Sequence, residues 1–157
     1  MDVARGSVGV ALGLLGLGTF CAAPANASLS GDAASVRADQ ADLQGSATQT
    51  HYPRFDLHVI STDSGLIVRE FLAPSGAVFA ISWHGPVMPN MQRLLGTHFA
   101  AYATALGALS QPGLKRSLRV ETIDMVFENA GHLRAFSGHA YAPALLPQGV
   151  KPQDLPW

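Results

Sequence analysis

Cysteine is almost missing from this chain: of 157 residues only Cys21 carries a thiol. It lies inside an apolar opening segment expected to be removed, which leaves the working body without a thiol. A disulfide framework, a cysteine nucleophile, thiol redox chemistry and thiolate-held zinc or iron–sulfur centres are therefore excluded from that body. Charge is also scarce, at 13% of residues, with eleven acidic and ten basic side chains giving a net −1. Such a balance offers no electrostatic footprint for nucleic acid, anionic lipid or a highly charged substrate. Lys115, Arg116 and Arg119 form a small basic cluster with no aromatic residue among them, and a solvated loop and strand edge explains it. Beyond the opening segment no second long apolar run exists, so no stable membrane span is expected.

The opening segment itself has the form of an export signal. Arg5 precedes an uncharged run from Val8 to Phe20, and Ala25-Asn26-Ala27 supplies a small-x-small cleavage pattern. Its glycines and Pro24 fit a cleaved leader better than a retained span, and Phe20 before Cys21 argues against lipoprotein processing. The expectation is a signal peptide over 1–27, cleavage near Ala27, and a periplasmic or secreted protein. A single domain over 28–142 and a proline-rich extended tail over 143–157 complete the division. About 130 residues suffice for one domain of ordinary size.

Within that body, Ser28 to Gly45 predicts a short helix, with Asp32 or Ser30 as cap and a thin apolar face of Leu29, Ala33, Val36 and Leu43. Gly45 to Thr50 reads as a polar connector. Phe55 to Thr62, Leu66 to Leu72 and Ala77 to His84 have strand chemistry and are joined by Asp63-Ser64-Gly65 and Pro74-Ser75-Gly76, which predicts an antiparallel meander. Leu66, Val68, Glu70 and Leu72 share one strand face. Phe79, Ile81 and Trp83 share one face of the next strand by simple alternation.

From Met91 the bulky residues Leu94, Leu95, Phe99, Tyr102, Leu106 and Leu109 recur at helical spacing, predicting one helix over Asn90 to Leu109. A second stripe of small residues, Gly96, Ala100, Ala103 and Gly107, suits either a plain solvent face or close packing against a copy of the chain in a homo-oligomer. After Gln111-Pro112-Gly113, strands over Leu118 to Glu128 and Leu133 to Tyr141 are expected around a turn at Asn129-Ala130-Gly131. The tail, with Pro143, Pro147, Pro152 and Pro156, should run extended over the surface, fastened by Leu145, Leu146 and Val150, with a partly disordered end. The fold class is thus α+β: an antiparallel sheet of about five strands, a three-strand meander plus a C-terminal hairpin, packed against one long amphipathic helix, with a short N-terminal helix.

The strings Gly65-Leu66-Ile67-Val68-Arg69-Glu70-Phe71, Val78-Phe79-Ala80-Ile81-Ser82-Trp83-His84-Gly85-Pro86, Leu94-Leu95-Gly96 and Gly131-His132-Leu133-Arg134-Ala135-Phe136-Ser137-Gly138 resemble a family of small exported proteobacterial proteins. That family is catalogued as a domain of unknown function, the one numbered 2844. The resemblance implies an exported, envelope-associated protein and transfers no catalytic role. Asn90 stands where the family commonly has aspartate, a mild change since both residues cap helices well.

No reaction motif is present: neither G-x-S-x-G, S-x-x-K, HExxH nor a phosphate-cradling glycine loop. Six histidines lack the spacing of a metal site, so no metal and no cofactor is expected. His98 falls in the bulky helical stripe and reads as a boundary residue bonded to a strand. Ser137 close to His139 reads as coincidence. Arg69, Glu70 and Arg134 sit in strands, where a charge pair of Glu70 with Arg69 or Arg134 is the leading explanation. Trp83, Phe79, Phe99 and Tyr102 suit a core beneath the helix, with an apolar groove as the rival.

Candidate ligand-binding residues are Arg69, Glu70, Trp83, His84, His98 and Arg134; no catalytic residue is assigned. The leading expectation is a non-catalytic accessory or binding protein of the bacterial envelope, with an envelope protein or small ligand as partner. The alternative is a small periplasmic hydrolase with a composite His/carboxylate site. Convergence of two or more of His84, His98, Glu70 and Asp124 in one cleft would favour it; their dispersal over separate faces would favour the binder.

Overall fold

The computed structural model describes residues 29–108 and 117–157. The expected leader, the Gln111-Pro112-Gly113 turn, Lys115 and Arg116 lie outside them. Asp32 caps the first helix, α1 (Ala33–Leu43), by accepting hydrogen bonds from the Ala34 and Ser35 amides at 2.9 Å. Three strands were expected next and four follow: β1 (Ser46–Tyr52), β2 (Phe55–Ser61), β3 (Ile67–Leu72) and β4 (Val78–Gly85). Then come α2 (Met91–Leu95), a 3-10 turn over Gly96–His98, α3 (Phe99–Gly107), and the strands β5 (Ser117–Glu121), β6 (Val126–His132) and β7 (Ala135–Tyr141). All pairings are antiparallel in one seven-stranded sheet of order β1-β2-β3-β4-β7-β6-β5.

The α+β class and the antiparallel sheet with its helical cover agree with expectation; the strand count of about five does not. β1 was read as a connector because Ser-Ala-Thr-Gln-Thr-His-Tyr has no apolar alternation. It is an exposed edge strand, where polar side chains on both faces are tolerated. Gly45 before it is required by close approach, since a Cβ there would stand 2.6 Å from Ile60 Cγ2. The stretch Leu118 to Glu128 is two strands, broken by a turn in which the Thr122 hydroxyl accepts from the Met125 amide at 3.0 Å and Ile123 is left exposed. Asn129-Ala130-Gly131 is not the hairpin turn but part of β6. The chain reverses at Leu133-Arg134, and Gly131 is small because a Cβ would lie 2.3 Å from the Ala135 carbonyl oxygen.

The expected single long helix is also corrected. Asn90 caps α2 through the Arg93 amide, but Gly96 takes φ +50° and the chain passes through a 3-10 turn before α3 begins. Leu94, Leu95 and Tyr102 still face the sheet, while Leu106 is left exposed at the far end. Ala100, Ala103 and Gly107 are exposed; Gly96 stands at the break instead of in their stripe.

The sheet is covered on both faces, which is why nearly all of β4 is buried. On the helix side Ile60, Val68, Ile81, Trp83, Met125 and Phe127 pack against Val36, Leu94, Leu95 and Tyr102. On the other side Leu57, Phe71, Phe79 and Ala80 pack against Leu155 and Trp157. Phe79 therefore does not share a face with Ile81 and Trp83. Phe71 pairs with Ala80 and Leu72 with Val78, so Phe79 is an unpaired bulge residue, and the extra position reverses alternation before it. Leu145, Leu146 and Val150 fasten the tail to this face, but 3-10 turns at Pro143–Leu145 and Pro152–Asp154 fold it where an extended run was expected, and Leu155 near its end is buried.

Candidate functional site

Two clusters of polar residues interrupt the apolar faces, one on each side of the sheet. On the helix side, α1 turns Ser35, Val36, Asp39 and Leu43 inward, so Asp39 occupies a position that helical periodicity reserves for an apolar side chain. Below it lies Glu70, on the inward face of β3 between Val68 and Leu72, with no exposed surface. The two carboxyl groups interact, and burial with the adjacent Asp39 charge pushes Glu70 up to about 9. Glu70 is thus neutral at physiological pH beside Asp39, and neither of its carboxyl oxygens has a hydrogen-bond partner. Burial, opposed by the neighbouring Glu70 carboxyl and by Arg93, raises Asp39 to about 6. Arg93 of α2 closes the cluster, its Nε lying 3.7 Å from Asp39 Oδ1 while its fork pairs with Asp42. The expected pairing of Glu70 with Arg69 or Arg134 is overturned: strand alternation places Arg69 on the opposite face, and Arg134 lies at the β6–β7 turn.

On the tail side the sheet changes character along its strands. Phe71, Phe79, Ala80 and Tyr141 lie under the tail; two positions further on, the register aligns Arg69, Ser82, His139, Glu128 and Arg119 in a row across five strands. A second row holds His84, Ser137, Ala130 and Ser117. These rows floor an open groove of about 570 Å³. Trp157, the last residue, forms one wall by stacking on His139 at a centroid distance of 4.3 Å and meeting Phe71 edge-on at 5.5 Å.

Charges in the groove are unevenly paired. Arg119 bonds both Glu128 and Glu121, the latter at 2.9 Å. His139 Nε2 lies 3.8 Å from Glu128, and burial followed by repulsion from Arg119 lowers its pKa, favouring the neutral ring. Arg69 has no acidic partner among the described residues. The Ser82 hydroxyl, on a residue only 2% exposed, has no hydrogen-bond partner.

Of the six residues singled out from sequence, Arg69 and His84 come together in this groove. Trp83 touches it but turns its indole to the helix side, over Gly138 and against Phe127 at 5.5 Å. Glu70 belongs to the buried cluster. His98 lies in the 3-10 turn and bonds the Ser30 hydroxyl at 3.1 Å, with burial lowering its pKa against the pull of Asp124. It meets a serine of the segment before α1 where a strand partner was expected. Arg134 stands at the β6–β7 turn with φ +67°, outside both clusters. Glu70 and His84 are thus held on opposite faces of the sheet. The sequence reading missed Asp39, Arg93 and Trp157, and set Arg119 aside as a solvated strand edge. It also dismissed Ser137 and His139, although residues two apart on a strand share a face. Cross-strand register was the signal needed, and one chain read alone does not carry it.

A single α+β body, its antiparallel sheet roofed by helices on one face and half covered by its own tail on the other, is the class of protein that this fold and groove define. Residues 25–155 match the family described as "Protein of unknown function (DUF2844)", and the chain belongs to that family. No curated protein and no solved structure matches it.

Proposed function

We propose that this chain is an exported, non-catalytic accessory protein of the bacterial envelope that holds a small polar ligand in the groove beside Trp157. The observation that carries the reading is the buried, unpartnered Ser82 hydroxyl in a polar row that the tail leaves uncovered. An idle buried hydroxyl costs about 1–3 kcal/mol, which a ligand's hydrogen bond recovers. Its volume falls within the range of ligand sites. Support for a non-catalytic role comes from the placement of the most perturbed acids, Asp39 and Glu70, beneath α1 and away from the groove. A hydrolase would have to draw on His139 and Glu128, but Arg119 binds that carboxylate and weakens it as a base. The leader predicts a periplasmic or secreted location.

Titrating isotope-labelled protein with a low-molecular-mass extract of the envelope tests the reading. Amide shifts concentrated at Ser82, His84, Ser137 and His139 are expected. Shifts elsewhere, or none, would overturn it. Intact-mass measurement of the protein from a periplasmic fraction should find a chain beginning near Ser28, and a cytoplasmic chain beginning at Met1 would remove the export proposal.

A further inference from the structure

We propose that the ligand of this groove is a small organic carboxylate whose anionic end pairs with Arg69 while its hydroxyl- or amide-bearing remainder lies across Ser82, Ser137 and His84. The inference rests on the binding reading above and adds the chemistry of the ligand.

Charge pairing supplies the first argument. Two guanidinium groups face the groove, and they differ in what they already hold. Arg119 is engaged by Glu121 and Glu128, so it has no free demand for an anion. Arg69, partly buried in the inner strand β3, has no acidic partner among the described residues. Holding a guanidinium against a protein surface without a counter-ion is unfavourable, and a carboxylate matches its planar fork with two parallel hydrogen bonds. One free cation suits one negative charge.

Position supplies the second. Ser82 is the cross-strand partner of Arg69, and His84 follows two residues later on the same face. Ser82 in turn pairs with His139, and His84 with Ser137. A ligand oxygen on Arg69 therefore lies beside the buried Ser82 hydroxyl, which has no partner, and the body of the ligand continues over the Ser137 hydroxyl. The Trp157 ring, fixed by His139 and Phe71, gives that body an apolar edge. A groove of about 570 Å³ admits a molecule of disaccharide or dipeptide size.

The test uses the labelled full chain and four probes: a uronic-acid disaccharide and N-acetyl-alanyl-alanine, each as free acid and as methyl ester. At least one free acid should move the amides of Ser82, His84 and His139 and bind about tenfold more tightly than its ester. R69Q should reduce the acid to the affinity of the ester, whereas R134Q, outside the groove, should leave it unchanged. Which acid binds identifies the source as sugar or peptide. An ester that moves the same amides as tightly as its acid overturns the carboxylate assignment and leaves the binding reading standing. No movement with any of the four probes also overturns it, and the envelope-extract titration then judges the binding reading separately. Should R69Q fail to fold, the acid-against-ester comparison in the unaltered protein still decides.

Discussion

The two faces of this sheet solve the same problem, polar groups within an apolar layer, in opposite ways. On the helix side Glu70 and Asp39 are sealed under α1, where burial and the neighbouring carboxylate keep Glu70 protonated and Arg93 balances the Asp39 charge. On the tail side the row from Arg69 to Arg119 stays open, is only partly paired, and keeps a hydroxyl without a partner. A sealed cluster responds to protons and to little else. An open one is available to ligands. The difference comes from what covers each face: helices carry enough apolar surface to close over a polar pair, whereas the tail packs on the half of the face where Phe71 and Phe79 stand.

The largest effect should come where the two faces share one residue. Gly138 belongs to a groove strand, yet its missing side chain makes room for Trp83 on the helix side, 2.3 Å from where a Cβ would be. G138V should cost about 3 kcal/mol in urea denaturation by displacing Trp83 from Phe127. A loss no greater than that of S137A would show that the faces are not coupled there.

Next in size is the pH response of the sealed pair. In the unfolded chain Glu70 ionises near 4.5, but in the folded protein it keeps its proton to about 9. The unfolded state therefore binds fewer protons between those values, and stability falls as pH rises through them, by at most about 1.4 kcal/mol per pH unit. E70Q keeps a neutral donor facing Asp39 and should flatten this slope, most visibly at the alkaline end. Equal slopes for the two proteins in urea midpoints across the window would refute the proton kept on Glu70.

W157A probes the cover of the open face. Removing the ring from His139 and Phe71 should cost roughly 2 kcal/mol. It should also let the His139 pKa, followed by ring-proton chemical shifts, rise toward the ordinary value as water reaches the imidazole. Smallest of all is R119Q, whose partners are solvent-exposed ion pairs; thermal unfolding should shift by less than about 1 kcal/mol.

Much of the architecture could be read from local signals. Gly65 and Gly76 do take positive φ at the β2–β3 and β3–β4 turns, and Asp32 and Asn90 do cap helices. Errors arose where a residue had two physical explanations. Gly131 was read as a turn and is a close approach; Gly96 was read as helix interior and is its break. At Phe79 alternation failed because a bulge shifts the strand by one residue, and a bulge leaves no mark on the strand that contains it. For the site, Arg69 and His84 were legible as polar residues in apolar strands. Their neighbours Glu128 and Arg119 were not, since they lie on strands distant in sequence that only β7 brings alongside β4.

By itself the sequence determined the class of fold, the hairpins among β2, β3 and β4, the amphipathic faces and the family, because each depends on spacing within a few residues along the chain. Tertiary structure alone decided which polar residues meet. Asp39 finds Glu70 because α1 is laid over β3. The groove exists because β7 pairs with β4 and Trp157 stacks on His139 at its edge. Those meetings are set by the register between strands and by the packing of layers, which link residues that no local periodicity connects.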